Sequence, residues 1–276
     1  GESVIRQALY GKAYFLEKFG IEPTTGYNVD SFGHPGTFPM LLRHTGFASY
    51  TFMRPGPHEM DLPGELFTWQ SPDGSSLPAF RIQDAYNTSK RSTPLSPKID
   101  QHYGHMDKHG HAFMCFYGVG NHGGAPTIDN IEEIEKRIGR GEALAYSDPE
   151  RFFHEVDTSG LPVVESALQF HAIGCYSVAS SLKALNRKAE SLLEQAEAAS
   201  ALAHRATGIS YPAEQFASLW QIVLFNQFHD TLGGTSIESA CLDSERELAG
   251  VIAGAEALLN AAVRRLDGTI APPIEP

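Results

Sequence analysis

Three stretches of the chain carry residue types that can do chemistry. The first is Tyr27-Asn28-Val29-Asp30-Ser31-Phe32-Gly33-His34. Asp30 closes a stretch of strand character and precedes a glycine-containing turn into a helix. Sheets and barrels of α/β type present catalytic carboxylates from that position. A helix cap or turn support is the plainer use of an aspartate there, and position alone favours it. The second stretch is Asn226-Gln227-Phe228-His229-Asp230-Thr231-Leu232-Gly233-Gly234-Thr235-Ser236-Ile237. Its pattern puts His229 and Asp230 at the end of one helix, before a Gly-Gly turn that Ser236 caps into the next. An imidazole beside a carboxylate can be an oriented metal ligand; complementing a helix C-terminal dipole is the commoner use. The third, Gly118–Thr127, has glycines after an apolar run, which let the backbone approach a ligand closely. It lacks the Lys-Ser/Thr ending of a phosphate-binding loop. His102, His105, His109 and His111 form a polar cluster in a region that reads as loop, and surface histidines are expected there rather than a metal site.

Composition bounds these readings. The chain has 276 residues, 42% of them hydrophobic and 20% charged, enough for one large domain or two modest ones. A formal charge of −12 argues against a nucleic-acid partner, since a polyanion needs a basic surface. A neutral sugar remains compatible. No apolar run is long enough for a transmembrane helix, and no signal peptide is recognisable. Cys115, Cys175 and Cys241 are far apart and odd in number. Neither a disulfide framework nor a Cys-based zinc site is expected, and a reducing, cytoplasmic location is. The first residues already read as an amphipathic helix, with Ile5, Leu9, Leu16 and Phe19 near helical spacing and Gly20 as its stop, so the start reads as clipped.

The elements that must position these residues fall into two patterns. Over residues 1–170, strands are predicted at Thr25–Asp30, Phe47–Arg54, His111–Tyr117, Leu144–Tyr146 and Leu161–Val164. A hairpin pairs Glu65–Gln70 with Leu77–Ile82 around Ser71-Pro72-Asp73-Gly74. Helices are predicted at Pro35–Thr45, Ile128–Ile138 and Pro149–Val156. Such alternation implies a mainly parallel sheet, open or short of the strands that would close a barrel. Residues 171–267 read as a three-helix domain. Val178, Leu182, Leu185, Ala189, Leu192, Ala196, Ala199 and Ala203 repeat in steps of three and four, as do Ile237, Cys241, Ser244, Leu248, Val251, Ala255, Leu258 and Ala262. A shorter helix between them carries Phe216, Leu219, Val223 and Leu224, with Pro212 in its first turn. Residues 268–276 read as a linker.

In this order, the three stretches resemble glycoside hydrolase family 38, the class II α-mannosidases. Asp30–His34, with Pro39 five residues beyond the histidine, looks like the family's nucleophile segment. Phe228–Ser236 looks like its later zinc-ligand segment, and the Gly118–Thr127 loop has a counterpart. Gly1–Gly20, Leu168–Ser177 and Lys183–Glu190 fit the same pattern. The resemblance implies the C-terminal portion of a (β/α)7-type barrel followed by a three-helix bundle. It implies retaining, zinc-dependent hydrolysis of α-mannosides or oligosaccharides. Asp30 would be nucleophile and metal ligand, and His229 the later ligand. Arg54, Asp84, Tyr86 and Asp230 would be sugar contacts. No His-x-Asp motif precedes Asp30, so further zinc ligands are expected from an upstream segment, and this chain alone is expected to be inactive. No membrane partner is implied, and a homo-oligomer is expected at full length. Asn121 stands where some relatives have an aspartate, and an amide cannot protonate a leaving group; Asp84 is the substitute. Ser166-Ala167 stand where a carboxylate is expected. The alternatives are a metal-dependent phosphohydrolase built on His229-Asp230, with Asp243 recruited, and a non-catalytic sugar-binding fragment.

Overall fold

Gly20 adopts φ 69° and donates its amide to Leu16, so the first helix, α1 (Glu2–Phe19), stops where the sequence predicts. Its buried face is not the predicted one. Leu9, Leu16 and Phe19 are exposed, whereas Ser3, Ala8 and Lys12 are buried. A polar tie decides the rotation: Lys12 Nζ donates to the Gly46 carbonyl at 2.9 Å, pairs with Glu22 at 3.2 Å and lies over the Phe47 ring. Lys12 therefore turns inward together with Ala8 on its own face.

The computed structural model describes residues 1–88, 90, 92–120, 124–169 and 171–268. They form two compact units, Gly1 with Ser3–His171, and Glu2 with the residues from Ala172 onward. After α1, the first unit contains β1 (Thr25–Asn28), α2 (Phe38–His44), β2 (Ser49–Phe52), β3 (Leu66–Gln70), β4 (Ser76–Arg81), α3 (Ser96–His109), α4 (Ile128–Gly139), α5 (Pro149–Glu155) and β5 (Val163–Val164). The sheet runs β1-β2-β4-β3-β5, parallel except for the β3–β4 hairpin. Asp73 shapes the hairpin turn by accepting from the Ser75 amide and hydroxyl, as Ser-Pro-Asp-Gly chemistry predicts. Every β2 residue is buried. The core beneath it gathers Leu42, Tyr50, Phe52, Phe67, Trp69, Leu77 and Leu168.

Two predicted strands are absent from the described residues. His111–Tyr117 and Leu144–Tyr146 are irregular, and the nearest pairing is one bridge between Val119, just beyond the first segment, and Thr88. The apolar side chains of these segments pack into two separate clusters. Phe113, Met114 and Phe116 join Phe80, Ile82 and Phe152, while Cys115, Tyr117 and Leu144 join Leu95, Ile99 and Ile134. Packing against two clusters holds such a segment, mostly half-buried, without a ladder. The histidine region is likewise corrected: His102, His105 and His109 lie on α3, not on a loop, and His102 is buried.

In the second unit a short 3-10 turn (Ile173–Tyr176) precedes α6 (Ser180–Thr207), α7 (Ala213–Asn226), α8 (His229–Leu232) and α9 (Glu238–Asp267). Helices α6, α7 and α9 pack against one another. The α6 seam is Leu182, Asn186, Ala189, Leu193, Ala196, Ser200 and Ala203. It keeps the predicted Leu182, Ala189, Ala196 and Ala203 but takes Asn186, Leu193 and Ser200 instead of Leu185, Leu192 and Ala199. Asn186 is drawn in because its side-chain oxygen accepts from Gln227 at 3.0 Å. Ser236 was expected to cap α9. Ile237 holds that position instead, and the Ser236 amide donates to the Asp230 carbonyl. The predicted linker falls largely outside the described residues. No described helix is long and apolar enough to cross a membrane.

Candidate active site

Asp30 follows β1, and the turn after it is held by Ser31 donating to Asn28 Oδ1 at 2.6 Å. Gly33, at φ 152°, then leads the chain to His34. His34 is 2% exposed and pairs antiparallel with Leu168 through two backbone hydrogen bonds. Its Nε2 lies 2.9 Å from the Arg54 carbonyl and its Nδ1 lies 3.0 Å from the Tyr50 hydroxyl. A carbonyl only accepts, so Nε2 carries the proton and Nδ1 accepts from Tyr50. Burial pushes the imidazole down to about 4, opposed in part by the Arg54 carbonyl.

That shift has a pH consequence. The folded value lies below the ordinary 6.5, so the unfolded chain binds the proton more readily between pH 6.5 and about 4. The contribution is complete above pH 6.5 and falls as pH drops, by about 3 kcal/mol by pH 4. Urea unfolding across that window should show the fall, and His34→Gln should flatten it. An unchanged slope in His34→Gln would assign the fall to other groups.

His34 thus holds the backbone of Arg54, whose side chain reaches back to Asp30. Arg54 Nε donates to Asp30 Oδ1 at 2.8 Å, and Nη2 lies 2.8 Å from the same oxygen. Arg54 Nη1 donates to His171 Nε2, and His171 Nδ1 donates to Glu59 Oε1 at 2.6 Å. Glu59 also accepts the Gly56 amide at 2.8 Å. Burial resists the Glu59 charge, but the Gly56 amide and His171 outweigh it and hold its carboxyl below the usual range. Tyr86 lies beside Asp30. Burial first, then the Asp30 charge, raises its phenol, which therefore stays protonated.

The structure accordingly brings Asp30, Arg54 and Tyr86 together. Asp84 faces Lys98 at 3.3 Å and His102 at 4.0 Å, both on α3. His229 and Asp230 belong to the other unit, with His229 Nε2 3.6 Å from Asp230 Oδ2. They open α8 rather than end the preceding helix, because Gln227 closes α7 and Phe228 supplies a new N-cap. Asp230 shapes the following turn: its carbonyl accepts from the Thr235 and Ser236 amides, and its Oδ1 accepts from the Thr235 hydroxyl at 2.8 Å. Asp243 pairs with Arg246 on α9. Asn121 lies outside the described residues. In the glycine-rich loop, Thr127 N-caps α4 by accepting the Asn130 amide at 3.1 Å.

The sequence profile of the glycosyl hydrolases family 38 N-terminal domain matches residues 1–172, and that of the alpha mannosidase middle domain matches residues 169–266. The chain belongs to glycosyl hydrolase family 38. Alpha-mannosidase G of Dictyostelium discoideum is 28% identical over 280 residues, covering 98% of this chain and 25% of that protein. Alpha-mannosidase 2C1 of Mus musculus is 28% identical over 276 residues, covering 96% of this chain and 26% of its own length. The chain therefore spans about a quarter of these relatives. The crystal structure of an alpha-mannosidase from Enterococcus faecalis V583 superposes with a TM-score of 0.80 at 22% identity, over 97% of this chain and 32% of that one. This likeness shows a shared mixed α/β fold.

Zinc is a general property of family 38. A zinc shell needs at least three protein donors. Among the described residues, no group of three such donors within 4.8 Å of one another includes Asp30 or His229. Sequence reasoning missed Glu59, His171 and the anchoring role of His34. His34 lay within the nucleophile segment and His171 within Leu168–Ser177, but neither pattern says which distant side chain each one meets.

Proposed function

We propose that this family 38 chain carries the nucleophile of a retaining α-mannosidase, acting on α-mannosides or oligosaccharides, with Asp30 as the attacking carboxylate. The observation that carries the reading is the double contact of Arg54 on Asp30 Oδ1, itself braced by His34 and by the His171–Glu59 pair. A guanidinium held on both sides fixes where the carboxylate points, as a nucleophile requires. The protonated Tyr86 phenol supplies a donor beside it for the same carboxylate or a sugar oxygen. Asp30 attacks the anomeric carbon, a glycosyl ester forms, and the leaving oxygen takes a proton from a second acid. Asp84 is tied to α3 by Lys98, a use that stands beside its proposed sugar contact. Asp230 is proposed as a further sugar contact.

Zinc with Asp30 and His229 among its ligands belongs to the same proposal. A zinc shell needs more donors than these two. On the same reading, the five-stranded sheet is the C-terminal portion of a (β/α)7-type barrel, and α6, α7 and α9 form the three-helix bundle that follows it.

The test is turnover of an aryl α-mannoside, beside an aryl phosphate, by a form of the protein with a complete zinc shell. Mannoside cleavage and no phosphate cleavage are expected. Arg54→Lys should lower kcat/KM by about 10–100-fold, since losing a charge-assisted fork is worth about 1.5–3 kcal/mol. Phosphate turnover, or an Arg54→Lys enzyme indistinguishable from the parent, would overturn the reading.

A further inference from the structure

We propose that Glu65, His105 and His109 form a binding site for one zinc-class divalent cation, using none of the residues that surround Asp30. His105 and His109 are four residues apart in the last turns of α3, so both imidazoles lie on one helical face. Glu65 immediately precedes β3 and meets that face. His105 Nδ1 lies 3.8 Å from Glu65 Oε1, and His109 Nε2 lies 3.7 Å from Glu65 Oε2. One ligand atom from each of the three residues falls within 4.8 Å of the others.

These separations are too long for hydrogen bonds. They suit donors sharing one ion, because bonds of ~2.0–2.2 Å at a tetrahedral angle place ligand atoms roughly 3.3–3.6 Å apart. A second observation points the same way. Glu65 is 6% exposed, and both its Oε2 and His109 Nε2 are buried without a hydrogen bond although they face each other. Two such atoms cost stability unless something between them satisfies both, and a cation does so. The rings are already oriented: His105 stacks on Phe113 with centroids 5.3 Å apart, and His109 lies 5.9 Å from the same ring. The His105 and His109 side chains remain about a quarter exposed, so the cluster lies near the surface although His109 Nε2 itself is buried.

Two imidazoles and one carboxylate are borderline donors of the kind zinc takes. The surrounding charges limit affinity. The buried Arg81 guanidinium acts on Glu65 and Asp61 and competes with an incoming cation. His102, next along the helix, faces Asp84, which Lys98 also holds, and is not counted as a ligand. A micromolar rather than nanomolar site is therefore expected, clamping α3 to the start of β3.

The experiment is calorimetric titration of the purified chain with zinc chloride alone, near neutral pH, in an Asp30→Asn/His229→Ala background that removes the proposed catalytic ligands. One equivalent should bind with a Kd of roughly 1–10 µM, and His109→Ala should weaken it at least tenfold. Glu65→Gln should do the same. Glu65 is buried, so His105→Ala, at a partly exposed position, repeats the test in a variant whose fold is checked by circular dichroism. Zinc at about a hundred times Kd should raise Tm by about 5 °C in the background protein and not in His109→Ala. Binding unchanged within twofold in folded His105→Ala and His109→Ala would overturn the proposal. So would a folded background protein that binds no zinc below about 1 mM.

Discussion

Asp30→Asn should lower kcat/KM for an aryl α-mannoside by on the order of 10⁴-fold, about 5.5 kcal/mol of transition-state stabilisation, in a form with a complete zinc shell. An amide is nearly isosteric with the carboxylate but cannot form the glycosyl ester, and it gives up the charge that Arg54 holds at 2.8 Å. The loss should fall on kcat, because the missing interaction is the bond made in the transition state. A slow fluorinated α-mannosyl donor should leave a sugar-sized mass on the peptide carrying Asp30 in the parent and none in Asp30→Asn. A loss of less than tenfold in a folded variant, or a label on another peptide, would show that a different group attacks.

Trp69→Ala should cost the α/β unit about 3–5 kcal/mol. Trp69 is fully buried, packs against Tyr50, Phe38 and His34, and donates Nε1–H to the Ser166 carbonyl at 2.9 Å. Truncation leaves a large cavity and an unpaired carbonyl in the cluster that seats His34, and through it Arg54. Against a typical domain stability of about 5–15 kcal/mol, that is a fifth or more. Urea unfolding should show the transition of this unit moving while that of the helical unit stays in place. Trp69→Phe should move it less, since most of the volume remains. A shift under about 1 kcal/mol for Trp69→Ala would remove Trp69 from the core of the site.

Local rules were legible in the residue order alone. The stop at Gly20, the Ser-Pro-Asp-Gly hairpin and the long helices follow from turn chemistry and periodicity, which act over a few residues. Asp30 was legible as a residue between a strand and a glycine turn, although β1 ends at Asn28 and not at Asp30, and the ordered motifs were enough to point to the family. Contacts between distant segments were not, because nothing in their spacing encodes them. His171 reaches Arg54 across 117 residues, and Glu59 reaches His171 across 112. The same limit explains the errors. The apolar run in His111–Tyr117 records contact with two clusters, but whether a strand lies alongside is a property of the assembled fold. The rotation of α1 is set by Lys12 finding the Gly46 carbonyl, and the α6 seam by Asn186 meeting Gln227. In these two helices a polar partner far along the chain outweighed an apolar period, because leaving a buried donor unpaired costs about as much as exposing a leucine. The histidines of α3 read as surface residues for the same reason. Only the tertiary structure brings Glu65 against them, and with it two buried atoms that need a shared partner.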